Sequence, residues 1–274
     1  MSINITYVAS SGNTYDLMAD RAIRTKNANY HKWTWAAAGN AVQYGRHVTG
    51  FTRDPAVYET RLMFRGTYAQ NKADIEALHE DFERDMINNT PGKIIWGDYY
   101  IECFVTASST YPDDYNRTVN DITIFCPYPF WMKDVKRHFD VQSGGGGAGL
   151  DYPFDYDFDY AEDASGEEVW ATGTNLPSEF TMIIYGAASD PAVTINGATI
   201  GVYATLLSTD YLTIDSRSHT VTKTANDGTI TNLFDYRFKT TSIFDRIPGG
   251  PLTISWSGLF GFDLILHTER SEPR

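Results

Sequence analysis

Residues 143–160 constrain this chain more than any other stretch: Ser-Gly-Gly-Gly-Gly-Ala-Gly-Leu, then Asp-Tyr-Pro-Phe-Asp-Tyr-Asp-Phe-Asp-Tyr. The first part is glycine without periodicity, the composition of a linker. The second alternates aromatic and acidic side chains at period two, as a strand with one buried face does. A linker that runs into a strand reads as the seam between two folded units. Residues 1–142 are therefore expected to form one domain, 143–150 a glycine-rich joint, and 151–274 a second domain. A length of 274 residues suits two domains, each able to bury its own core.

Aromatic residues make up 14% of the chain and charged residues 21%, a strand-rich folded composition rather than a disordered one. The formal net charge of −13 argues against binding nucleic acid through a phosphate-neutralising surface. A surface of like charge suits a passage through which a polyanion slides without adhering. Cys103 and Cys126 are too few for a secreted disulfide scaffold. The opening Met-Ser-Ile-Asn-Ile-Thr-Tyr lacks the basic and apolar regions of a signal peptide. No apolar run is long enough for a spanning helix. The expectation is a soluble product made in a reducing cytoplasm, without membrane insertion.

In the first half, Ile3, Ile5 and Tyr7 alternate into a strand that ends at the turn-forming Ser10-Ser11-Gly12-Asn13. Tyr30 to Trp35 reads as a short strand with Trp33 and Trp35 on one face. Ala36 to Asp54 has no clean period and reads either as a surface loop or as an arm reaching a neighbouring subunit. The arm residues would be Ala36, Gly39, Tyr44, Arg46 and Phe51. Val57 to Gly66 reads as a strand, followed by a helix over Gln70 to Asn88 with Asn71 as its N-cap. Ile75, Leu78, Phe82 and Met86 form its apolar stripe. Asp74, Glu76, Glu80, Asp81, Glu83 and Asp85 read as its solvated face rather than as acid/base catalysts. Lys93 to Thr106 and Asn116 to Tyr128 pair as strands about Asp114–Tyr115, which sets Cys103 opposite Cys126. Cysteines directly paired across strands rarely meet disulfide geometry without strain, so two buried thiols are expected. No ligand cluster suggests a metal site or cofactor.

Past the seam, short strands alternate with turns, the pattern of a β-sandwich. Ala192 to Ile195 and Thr199 to Tyr203 flank Asn196-Gly197, a strong hairpin signal. Tyr211 to Asp215 pairs with His219 to Lys223, and Pro251 to Trp256 with Phe262 to His267. A sugar-binding sandwich would use Trp170 and Trp256, with residues such as His219 and Arg237, but these are scattered along the sequence. Asp155, Asp157 and Asp159 lack the glycine turn and terminal glutamate of a calcium loop. They read as a hydrated edge strand.

Several stretches together resemble siphophage distal tail proteins. Phe180 to Gly186 with Pro191 to Gly197 is similar to the start of that family's C-terminal domain. Leu212 to Ser216, Ser242 to Phe244 and Ile247 to Gly250 continue the likeness in order, and Glu269 to Arg274 resembles its ending. Asn89 to Lys93, Pro127 to Trp131 and the Asp-Tyr-Pro-Phe-Asp-Tyr seam also have counterparts. The resemblance implies a mostly β chain. Its N-terminal domain would be a tail-tube-like β-sandwich or barrel with one flanking α-helix, and its C-terminal domain a galectin-like β-sandwich. It further implies no catalysis and a homohexameric ring at the virion tail tip. Such a ring caps the tail tube protein, carries the tail-associated lysin or fibre and receptor-binding or accessory baseplate proteins, and lets DNA pass. The alternative is a tail-borne carbohydrate-binding module that engages the host wall.

Overall fold

The computed structural model describes residues 4–18, 23–26, 29–112, 117–142 and 165–273. The expected strand over 152–160, its three aspartates, the glycine joint and the Asp114–Tyr115 turn lie outside these residues. The described residues are mostly β with one long helix. It divides into two compact units, Met1–Lys133 with Glu269–Arg274, and Asp134–Thr268. None of its described helices is long and apolar enough to cross a membrane.

The first unit is built on a path of antiparallel strands. In pairing order they are Thr14–Asp16, Ile5–Val8, Gly92–Trp96, Tyr99–Pro112, Thr118–Cys126, Ala56–Phe64 and Ile23–Lys26. Tyr99–Pro112 serves both halves of this path. Its first residues pair with Gly92–Trp96 and its later ones with Thr118–Cys126, with a register shift between Val105 and Ala107 where the strand bends. Period-two alternation turns Tyr58, Leu62, Phe64, Ile101, Cys103, Ile122, Ile124 and Cys126 into one core, which also takes Ile5 and Ile23 from the ends of the path. The single strand expected over Lys93 to Thr106 is two strands separated by a turn at Gly97 (φ +59°). Cys103 and Cys126 are free buried thiols, as the geometric argument expected.

The helix runs Tyr68–Ile87 and starts two residues earlier than expected. Thr67, not Asn71, is the N-cap: it forms a capping box with Gln70, which satisfies two otherwise orphan N–H groups. Asn71 is buried and ties the helix to its surroundings through Gly66 N–H and the Thr118 hydroxyl. Ile75, Leu78 and Phe82 face the core as expected, whereas Met86 is 48% exposed. Tyr30 to Trp35 does not form a strand. Tyr30 is fully buried with its ring edge-on to Tyr58, Trp96 and Trp131, while Trp33 and Trp35 are half exposed.

The second unit is a sandwich of two antiparallel sheets. One runs Gly166–Ala171, Pro251–Trp256, Ala192–Ile195, Ala198–Gly201. The other contains Ile230–Asn232, Thr220–Thr224, Tyr211–Asp215, Glu179–Tyr185 and Phe262–Arg270. Inward-facing Trp170, Val193, Ile195, Leu252 and Ile254 from the first meet Met182, Ile184, Leu212, Ile214 and Leu264 from the second. The hairpin at Asn196-Gly197 has positive φ at both turn residues, the conformation that makes this dipeptide a hairpin signal. One expected pairing is wrong. Pro251–Trp256 and Phe262–Arg270 are not partners; the connection 257–261 carries the chain from one sheet to the other.

The division between the compact units falls inside strands Trp131–Phe139 and Phe262–Arg270. Phe139 explains why residues 134–142 go with the second unit. It is fully buried there, stacked on Phe262 at 4.6 Å and edge-on to Trp170 and Trp256. Phe139→Ala is expected to destabilise this unit by about 3–5 kcal/mol, the usual cost of emptying a phenylalanine site in a packed core. A depressed thermal midpoint with loss of near-ultraviolet ellipticity would report it. An unchanged midpoint would return residues 134–142 to the first domain.

Candidate interaction surface

The stretch that sequence periodicity left irregular is a β-hairpin. Strands Ala36–Ala41 and Arg46–Thr52 pair with each other and, among the described residues, with no other strand. Val42 N–H bonds to Gly45 C=O across the tip, where Gly45 has φ +95°. Gly39, at the register shift, has φ +153°, and a Cβ there would lie 2.0 Å from the His47 carbonyl oxygen. These two glycines and the register shift break the period-two signal, so the hairpin was illegible as a strand pair. Arg46 Nη1 donates to Ala37 C=O at 2.8 Å and closes the ribbon.

Of the five expected arm residues, Ala36, Tyr44, Arg46 and Phe51 are exposed, and Gly39 is half-buried at the register shift. Tyr44 is 88% and Phe51 64% exposed, and Val42 and Val48 are exposed too. No residue of either strand is buried. A two-stranded ribbon without a covered face is marginal in water, and its open edges invite pairing. Residues 29–53 also carry Lys32, Arg46 and Arg53 and no carboxylate, in a chain of net charge −13.

The base of the hairpin gathers motifs that are distant in sequence. The Arg53 guanidinium lies 4.7 Å from the Phe130 ring centroid and 5.8 Å from that of Trp35. Its Nη1 donates to the Ser271 hydroxyl at 3.1 Å. Tyr128 stacks at a tilt on Phe130 and donates its hydroxyl to Glu269. Thus the Pro127 to Trp131 segment and the C-terminal residues converge where the hairpin leaves the core. Periodicity gives no signal of this cluster.

The helix acids divide in two. Asp74, Glu76, Glu80 and Glu83 face solvent, but Asp81 and Asp85 are 1% and 0% exposed. Asp85 accepts from the Tyr7 hydroxyl and from Ser10 N–H (3.0 Å) and hydroxyl. Asp81 accepts from Ser11 (2.9 Å), Asn13 (2.9 Å), Tyr15 (2.6 Å) and Arg84 (2.9 Å). Together they hold the turn of the opening hairpin against the helix, which is a structural use of carboxylates. In the second unit, Asp263, 2% exposed, accepts from Lys136 (2.7 Å), His138 (2.6 Å) and Tyr185 (2.6 Å).

Burial works to raise the Asp81 and Asp263 pKa values, yet the hydrogen bonds outweigh it and both lie below the ordinary carboxylate range. A carboxylate with a depressed folded-state pKa stabilises the fold while ionised. That stability is complete above the unfolded value of about 3.9 and is lost as pH falls through the folded value. The urea midpoint should therefore decline below about pH 4, and Asp81→Asn and Asp263→Asn should each flatten that decline. An equally steep acid loss in both variants would assign the effect to other groups.

Trp170 and Trp256, the expected sugar-contacting rings, are 7% and 5% exposed and belong to the sandwich core. Trp256 Nε1 donates to Phe260 C=O at 3.1 Å. The outer face of their sheet presents Val169, Thr194, Thr253 and Ser255 and no aromatic ring among the described strand residues. These tryptophans are too large and apolar to be left out of a thin core, and neither has a ring face free for a sugar. His219 and Arg237, scattered in sequence, do meet at one pocket. Among the described residues no cluster of histidine, cysteine or carboxylate side chains is arranged to hold a metal ion.

No family model matches the sequence, and no curated protein matches it. Solved structures do. SPP1 Dit, a hub of the adsorption apparatus in phages that infect Gram-positive bacteria, aligns over 96% of this chain and 98% of its own at a TM-score of 0.60 and 10% identity. The two share a fold. Chains of the phage P2 baseplate in its activated conformation, with Ca and with Sr, align over 100% of both chains at TM-scores of 0.67 and identities of 11% and 12%. The likeness to the Dit fold thus spans both units, at an identity too low for a sequence match.

Proposed function

We propose that this chain is a distal tail protein: a non-enzymatic structural hub of a siphophage tail tip that assembles as a homohexameric ring. The observation that carries the proposal is the end-to-end Dit fold combined with an uncovered, carboxylate-free hairpin on an otherwise acidic chain. In a ring, each hairpin would lie on the next copy of the chain in a head-to-tail contact. Covering Tyr44 and Phe51 removes apolar surface from water, and Arg46 then faces a neighbour of opposite net charge. The tail tube protein would sit on one side of the ring. The lysin or fibre and the receptor-binding or accessory proteins would dock on the other, with the second unit as a galectin-like docking domain. A net negative lumen would let DNA through without holding it. Negative-stain electron microscopy of the purified protein tests the reading: six-fold rings with a central opening support it, and a uniform field of single-chain particles argues against it.

A further inference from the structure

In the second unit, His219 and the later loop over 234–244 line an open pocket of about 510 Å³. Its chemistry differs from that of the chain around it. The walls carry His219, Arg237 and Lys239, the hydroxyl of Ser242, and the rings of Phe234 and Phe244, and no carboxylate lines them. The chain as a whole has 35 acidic residues against 22 basic ones, so a cup whose charged lining residues are Arg237 and Lys239, with no carboxylate, is an exception to that balance. The rings form a continuous stack: Phe234 on Phe244 at 5.8 Å and Phe244 on His219 at 5.0 Å.

The cations are held ready rather than consumed. The Arg237 guanidinium lies 4.0 Å from the Phe234 ring centroid, and its Nη1 donates to Phe234 C=O at 2.6 Å. That contact fixes the plane and leaves further N–H donors on its edge. Lys239 is exposed and has no ion pair or hydrogen bond among the described residues. His219 sits in a turn with φ +53°, a left-handed conformation that glycine or asparagine would adopt with less strain. Imidazole placed there reaches the ring stack; glycine would not. Strained backbone at a binding surface is a recurrent pointer to function.

We infer that this pocket binds a phosphorylated sugar or polyol. The guanidinium edge of Arg237 and the Lys239 ammonium match the phosphate oxygens, Ser242 meets a ligand hydroxyl, and the edges of the stacked rings border the carbon skeleton. A volume of 510 Å³ holds one such unit. A nucleic-acid strand fits less well, because its repeating phosphates need a basic stripe and the cations here are confined to one cup. A free sugar phosphate and one repeat of a glycerol-phosphate polymer share this chemistry. The inference is independent of the ring, since every residue it uses lies within one copy of the second unit.

Titration calorimetry of the full chain at low salt tests it, with glycerol 3-phosphate, glucose 6-phosphate, poly(glycerol phosphate), inorganic phosphate and a short single-stranded DNA as probes. At least one phosphate ester should bind, and Lys239→Glu should weaken it about tenfold or more by reversing a charge at the phosphate. His219→Gly, which relieves the turn, should keep the thermal midpoint yet weaken binding. Binding of the small esters identifies a free-ligand site, and binding of the polymer alone identifies a polymer site; both support the inference. Four results would overturn it: no ester bound at millimolar concentration, affinity unchanged in Lys239→Glu, inorganic phosphate bound as tightly as the esters, or DNA bound in preference to them.

Discussion

Asp85→Ala is expected to lower the stability of the first unit by about 3 kcal/mol, because it strands the Tyr7 hydroxyl and two donors of Ser10. Burial and the neighbouring carboxylate push the Tyr7 phenol far above its ordinary pKa, so it stays protonated and must donate somewhere. In the folded chain Asp85 is the acceptor, and Tyr7 is 2% exposed, so water cannot replace it cheaply. Asp85→Asn keeps an acceptor of the same shape and should cost roughly half as much. Glu80→Ala, on the exposed face, should change stability by less than about 0.5 kcal/mol. Urea midpoints for the three variants rank these effects. An Asp85→Ala midpoint equal to that of Glu80→Ala would mean that the opening hairpin does not depend on the helix carboxylates.

The helix shows why part of the structure was legible in the sequence and part was not. Steps of four and three from Asn71 give 75, 78, 82 and then 85, so strict periodicity points inward at Asp85 and outward at Met86. Reading the stripe by hydrophobicity alone picks Met86 and puts the two buried aspartates in solvent. Their acceptors serve Tyr7, Ser10, Ser11, Asn13 and Tyr15, about seventy residues earlier, and local pattern carries no trace of such pairing. The capping box of Thr67 and Gln70 was present in the sequence as a signature and outranked Asn71. Strands Ala192–Ile195, Ala198–Gly201 and Tyr211–Asp215 could be read because turn chemistry and alternation agree there. Strands Pro251–Trp256 and Phe262–Arg270 each alternate correctly, but alternation fixes which side chains point inward, not which strand is the partner. The pocket around Arg237 depends on a hairpin tip meeting a later loop, which composition could not signal.

Tyr44→Asp combined with Phe51→Asp should abolish ring assembly and leave the fold of each copy intact. Both side chains are exposed and touch no core, so circular dichroism and the monomer thermal midpoint should change little. At an interface the same side chains would be large apolar anchors, each worth about 2 kcal/mol or more. Two buried carboxylates in their place should raise the dissociation constant of each head-to-tail contact by roughly a thousandfold. Val57→Asp, exposed but outside the hairpin, is the matched control and should leave assembly unchanged. Sedimentation velocity separates the outcomes. Loss of rings in the control as well would shift the interface from the hairpin to the sheet.

The most direct measurement is native mass spectrometry of the unmodified chain, alone and mixed with the tail tube protein. The account predicts a dominant species of six chain masses, reduced to single chains in the Tyr44→Asp, Phe51→Asp variant. A single-chain mass for the unmodified protein under both conditions would contradict it.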